Sequence, residues 1–232
     1  MARVLVLLPA RDFDPSEAAV GWRVLANAGH TVSFATPEGR PAVADEMMLT
    51  GKGLDPWGAI WLLRNLPLVG LLMRANRDAR KAYAEMTVDP NYVAPQRWDA
   101  IDVSAFDALL LPGGHRARGM REYLESEILQ RHVASFFDEE KPVAAICHGV
   151  LLAARSISKH TGRSVLWGYQ TTALTLGVRK HRVVGRARHA VLGSQLLPDL
   201  SGTERAAKGV YVGAAGSDAR DINPFGCPLC SG

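Results

Sequence analysis

Thirteen residues, Pro142 to Ala154 (PVAAICHGVLLAA), limit what this chain can fold into more than any other stretch. Pro142 to Ile146 is a short run of small and apolar residues, the pattern of a buried parallel strand. The apolar run that follows has no breaker and predicts a helix. Cys147 stands between them, with Ala145 two residues before it and Gly149 two after. A strand that turns straight into a helix forces the residue at the turn into a strained backbone conformation, and the turn closes only between small neighbours. Such a turn lifts Cys147 above the sheet and sets its sulfur near unpaired helix N–H groups, a field that favours thiolate over thiol. The plainer alternative is one more buried, inert cysteine. The adjacent His148 favours the nucleophile.

The start of the chain predicts a βαβ unit. Residues 3–8 form a continuous apolar run, read as a central parallel strand. After the loop at residues 10–13, Asp14-Pro15-Ser16-Glu17 has the form of a helix start: Asp14 as cap, Pro15 at the first helical position, Glu17 three after the cap. The helix ends at Gly29, and residues 30–35 are the second strand. The loop between strand and helix opens over the strand ends, where α/β sites form. Glu17 has two readings. It is a capping carboxylate, or its carboxyl reaches across to the sulfur of Cys147.

Residues 106–112 predict another strand, ending in Gly113-Gly114-His115. Two glycines after a strand let backbone N–H groups face a bound oxygen with no Cβ in the way; a tight turn is the alternative. His115 can line the mouth of a pocket or be merely exposed. Residues 122–139 predict a helix, and residues 162–174 one or two short strands.

Other stretches carry less. Residues 36–56 read as loop. Residues 57–73 are strongly apolar, but Arg64, Asn65 and Pro67 interrupt them. A spanning helix needs about 20 clean residues, so no membrane span is expected. A cap over the site, a subunit contact such as a homodimer would use, and a membrane-surface segment stay open. Residues 74–86 predict a polar amphipathic helix. Beyond Val178 no long helical period appears, although residues 183–184 and 190–192 have the look of strand fragments. One domain is expected over 1–212, with an insertion at about 40–100 and a mobile tail at 213–232.

Composition excludes several classes. With 232 residues, 47% hydrophobic and 22% charged, the chain can build one large α/β core. Residues 1–177 hold 19 Lys/Arg against 19 Asp/Glu, while residues 178–232 hold 8 against 4 and carry the whole net charge of +4. A neutral main body gives no reason to expect nucleic acid as a partner. Three cysteines make no disulfide scaffold, and Met1 to Pro9 is too short and too soon broken for a signal peptide, so a cytoplasmic setting is the expectation. Cys227 and Cys230 have metal-type spacing, but a zinc site wants four ligands and no second pair is present.

Ala144-Ala145-Ile146-Cys147-His148-Gly149, preceded by Leu111-Pro112-Gly113-Gly114-His115, resembles the PfpI/ThiJ superfamily. Glu17, twelve residues ahead of Gly29, falls where that superfamily places a carboxylic acid. The resemblance covers roughly residues 2–177. It implies the class I glutamine amidotransferase-like fold, a flavodoxin-like three-layer α/β/α sandwich with a mainly parallel sheet and, here, a helical insertion. It implies Cys147 as nucleophile, Glu17 as a protonated partner of its sulfur, His148 as proton carrier, and the backbone N–H groups of Gly114 and Cys147 as oxyanion donors. Gly113, Gly114 and His115 together would form the oxyanion side of the pocket.

The insertion resembles the branch that includes glyoxalase III and class I chaperone-like members. That branch is credited with converting methylglyoxal to lactate without glutathione. It also places an Asp or Glu about thirty residues after the elbow to orient the histidine. Here that stretch is Gln170 to Leu176, with no acid; in other members the acid comes from a neighbouring subunit. The expected activity is a glyoxalase III-type lyase acting on a small carbonyl substrate, needing no metal, nucleotide or other cofactor. The alternatives are a PfpI-type cysteine hydrolase or deglycase, and a redox-sensing or chaperone-like stress protein. Glutamine amidotransferase activity proper is disfavoured, since His160, His181 and His189 are not followed by the Glu of a His-x-Glu pair.

Overall fold

The alternating side chains of the first strand organise two hydrophobic layers. In β1 (Arg3–Leu7), Val4 and Val6 point to one face, and Leu5 and Leu7 to the other. Val4 and Val6 pack with Ala18, Ala19 and Trp22 of α1 (Pro15–Asn27) and with Phe34 of β3 (Thr31–Thr36). Leu5 and Leu7 pack with Leu109 and Leu111 of β6 (Ala108–Leu111), with Met120, Tyr123 and Leu124 of α6 (Ala117–Glu125), and with Leu129, Val133 and Phe136 of α7 (Glu127–Asp138). Each fully buried aliphatic side chain contributes about 1.5–3 kcal/mol of transfer free energy. The sheet is therefore held from both faces.

The computed structural model describes residues 1–52, 69–169 and 210–213. Its main sheet has the order β5-β3-β1-β6-β7-β8, where β5 is Gln96–Arg97, β7 is Val143–Ile146 and β8 is Val210–Gly213. The first five strands are parallel. β8 runs antiparallel to β7, with Ala145 opposite Tyr211. This is a flavodoxin-like α/β architecture. α1, α4 (Arg77–Met86) and α5 (Pro90–Val93) cover one face; α6, α7 and α8 (His148–Arg155) cover the other. From β1 the chain builds outward in one direction through β3 and in the other through β6. Crevices at the carboxyl ends of strands form at such a switch.

Several sequence expectations change. The described part of 36–56, residues 36–52, is not plain loop: β4 (Val43–Ala44) pairs with β2 (Arg11–Phe13) in a second small sheet, and α2 (Glu46–Thr50) follows with Asp45 as its cap. The helix expected over 122–139 is two helices. Ser126 breaks it, ending α6 in an extended conformation and capping α7 by accepting the Leu129 N–H at 3.3 Å. Residues 162–169 form turns with a single bridge between Ile157 and Ser164 rather than strands. Residues 69–73 form a short helix, α3. β8 was not foreseen: four residues of one strand, far from the other elements, carry too little pattern. The remainder of 57–73, the strand fragments at 183–184 and 190–192, the stretch 170–176, the Cys227/Cys230 pair and the tail beyond Gly213 lie outside the described residues. Among the described residues no helix is long and apolar enough to cross a membrane.

Candidate active site

Cys147 sits between β7 and α8 with φ +54° and ψ −121°. A non-glycine residue rarely adopts this region, and it persists only where its surroundings over-determine it. Two glycines do so here. A Cβ on Gly149 would run into the carbonyl oxygen of Leu111, and a Cβ on Gly113 would lie 2.6 Å from the His148 nitrogen and 3.0 Å from the Ile146 oxygen. The end of β6 is thereby clamped against the turn. Cys147 is 3% exposed, and its Sγ lies 3.4 Å from His148 Nδ1. The buried-cysteine alternative is correct about burial, but the sulfur has a polar neighbour and not an all-hydrocarbon wall.

The two readings of Glu17 separate on hydrogen bonds. Asp14 is the cap of α1: its Oδ1 accepts from Ser16 N at 2.7 Å and Glu17 N at 3.3 Å. In a reciprocal capping box, Glu17 would return to the Asp14 N–H. That N–H instead donates to the Gly113 oxygen at 2.8 Å, while Glu17 Oε2 accepts from Gly113 N, also at 2.8 Å. The carboxyl thus reaches across to the glycine loop that borders the elbow. A Cβ on Gly113 would lie 3.1 Å from Cys147 Cβ. Gly113 N–H is engaged with the Glu17 carboxyl, and the missing Cβ leaves room for the elbow. Gly114 is packed against the Asp12 carbonyl oxygen and Met120.

Beyond the glycines, His115, Arg116 and Arg118 face three buried acids. His115, 38% exposed on its side chain, places Nδ1 3.4 Å from Asp14 Oδ2. Arg116 Nε lies 3.0 Å from Asp45 Oδ1. Arg118 grips Asp12 through two bonds of 2.8 and 3.0 Å. The small β2–β4 sheet brings these acids together: Asp45 N donates to Phe13 O at 2.9 Å, and Val43 N to Ala10 O at 3.0 Å. Burial raises the Asp45 pKa above the usual carboxylate value, against the Met47 N–H and Arg116. This acid set was not legible beforehand, because it depends on a two-residue strand inside an apparent loop.

Tyr123 is a second feature with no advance signal. It is fully buried on α6, and its hydroxyl has no hydrogen-bond partner among the described residues. Burial first, and then the Glu17 carboxyl, hold the phenol well above its ordinary pKa of 10.0. Among the described residues, no three His, Cys, Asp or Glu side chains gather as metal ligands.

The family model described as "ThiJ/PfpI family-like" matches residues 8–184, which includes every residue of this site. The chain belongs to the ThiJ/PfpI-like family. The glutamine amidotransferase-like class 1 domain-containing protein 1 of Xenopus laevis is 33% identical over 101 residues, covering 44% of this chain and 41% of that protein. The deglycase PfpI of Pyrococcus furiosus is 34% identical over 83 residues, covering 35% of this chain and 48% of that protein. The chain spans less than half the length of the curated relatives it matches. A crystal structure of glyoxalase III from Candida albicans superposes with a TM-score of 0.54 at 16% identity, over 79% of this chain and 72% of that one, which is a likeness of fold. In this ThiJ/PfpI-like chain, the first turn of α1, the loop after β6 and the β7–α8 turn bring Glu17, Gly113 and Cys147 with His148 into one neighbourhood. His115 is set one step outward, on Asp14.

Proposed function

We propose that this ThiJ/PfpI-like chain is a cysteine-dependent enzyme of reactive carbonyl chemistry, converting 2-oxoaldehydes such as methylglyoxal to 2-hydroxy acids. The observation that carries the reading is the elbow itself: a strained, non-glycine Cys147 at the start of α8, 3.4 Å from His148 Nδ1, beside the glycine that holds Glu17. The start of a helix stabilises negative charge on such a sulfur.

The Cys147 thiolate adds to the aldehyde carbon. The new C–S bond forms as the carbonyl π electrons move to oxygen, giving a hemithioacetal whose oxyanion is stabilised by the backbone N–H groups of Gly114 and Cys147. Glu17 or His148, the titratable groups that converge on the Gly113–Cys147 junction, removes the proton from that carbon and returns one to the neighbouring carbon. The first carbon is oxidised to a thioester as the second is reduced to an alcohol, with no external electron carrier. Water then breaks the C–S bond, releasing the 2-hydroxy acid and restoring the thiol.

A cysteine hydrolase or deglycase is the second reading, and the identity with the Pyrococcus furiosus deglycase favours it. It shares the attack by Cys147 and differs in the leaving group. Proton NMR of products separates the two. Lactate from methylglyoxal, with no amine released from glycated N-acetyl-lysine, supports the lyase. Amine release without lactate overturns it in favour of the hydrolase.

A further inference from the structure

We infer that Asp14 is the positioning residue of this site, fixing both Glu17 and the glycine loop through the separate faces of one buried side chain. Its two carboxylate oxygens have different tasks. Oδ1 caps α1 at Ser16 N and Glu17 N, which sets the direction in which Glu17 leaves the helix. Oδ2 faces His115 Nδ1 at 3.4 Å, two residues past Gly113. Its backbone N–H donates to Gly113 O, and Gly113 N–H donates to Glu17 Oε2, both at 2.8 Å. These bonds close a ring: Asp14 to Gly113, Gly113 to Glu17, Glu17 back to Asp14.

The Oδ2 contact asks more of this position than a cap does. Ser or Thr would cap α1 as well as Asp does. Only a branched side chain with a second polar atom, as in Asp or Asn, can cap the helix and also face His115 on the glycine loop. The neighbouring pairs Arg116–Asp45 and Arg118–Asp12 anchor the continuation of that loop, so Asp14 is the member of the set nearest the chemistry. Asp14 acts on the reaction through Glu17 and Gly113, and Cys147 feels the change through both.

The inference rests on the proposed role of Glu17 beside the sulfur. Asp14→Ser keeps a cap-competent oxygen but is too short to reach His115 as well. Asp14→Asn keeps the length and the acceptor. In the full chain, Asp14→Ser is expected to melt within a few degrees of wild type while kcat with methylglyoxal falls by about 100-fold, the scale of a 1 Å misplacement, with little change in KM. The pH midpoint of Cys147 alkylation by iodoacetamide moves upward, and Asp14→Asn recovers a large part of both losses. Wild-type kcat and an unshifted alkylation midpoint in Asp14→Ser would overturn the inference. The alkylation readout needs no substrate. If the wild type turns over no carbonyl yet the midpoint still shifts in Asp14→Ser, the proposed activity fails and the positioning role stands.

Discussion

Gly113 donates its N–H to Glu17 at 2.8 Å, and this bond, beside the one from Asp14 N–H to Gly113 O, ties the first helix to the loop that shapes the nucleophile turn. Any side chain at 113 opposes it, because a Cβ there would sit 2.6 Å from the His148 backbone nitrogen. Gly113→Ala is therefore expected to lower stability by about 1–3 kcal/mol, the usual cost of overpacking, and to reduce turnover far more than that loss of fold accounts for. Urea unfolding and steady-state kinetics on the same preparation check both parts. An active, fully stable Gly113→Ala would show that the turn can relax.

Glu17 is expected to matter through its proton more than through its contact. Glu17→Gln retains an oxygen that accepts from Gly113 and should melt close to wild type. Its turnover should fall by about 100-fold or more, the range of a lost general acid–base group. Glu17→Ala loses the contact as well and should be both less active and less stable. Equal activity in wild type and Glu17→Gln would leave the carboxyl with a structural role alone.

The Tyr123 hydroxyl is buried without a partner among the described residues. Removing such a group while keeping the ring relieves a desolvation penalty of about 1–3 kcal/mol. Tyr123→Phe is accordingly expected to raise the melting temperature by about 2–4 °C for each kcal/mol gained. A lower melting temperature would mean that the hydroxyl is bonded in solution.

His132 makes the stability of the fold depend on pH. Its Nε2 lies 2.9 Å from the Trp98 carbonyl, and burial lowers its pKa below the ordinary 6.5, with the Trp98 hydrogen bond opposing and Arg131 adding. The folded pKa is below the unfolded one, so the unfolded chain binds more protons as pH falls. The stabilising contribution is complete above about 6.5 and is lost as pH drops through the folded value. Between pH 7.5 and 5.5, wild type should lose more stability than His132→Gln in urea titrations. Parallel losses would contradict this.

What could be read beforehand follows physical range. The elbow at Cys147, the strand at residues 3–8 and the start of α1 at Asp14-Pro15 are local patterns, in which each residue's neighbours in sequence are also its neighbours in space. The destination of the Glu17 carboxyl was not readable, because a cap and a reach of 96 residues to Gly113 demand the same side chain at the same position. The Asp12, Asp14 and Asp45 set depends on β2 pairing with β4, two short strands with no periodicity of their own. Tyr123 reads as ordinary core on the apolar face of α6, and only the surrounding elements reveal its unpartnered hydroxyl.

The proposed chemistry begins with attack of the Cys147 sulfur on the carbonyl. The most direct measurement is the rate of lactate formation from methylglyoxal by purified wild type and by Cys147→Ser, with folding of both verified by circular dichroism. Turnover is expected in wild type and none above the uncatalysed rate in Cys147→Ser. Undiminished lactate formation by a folded Cys147→Ser would contradict it.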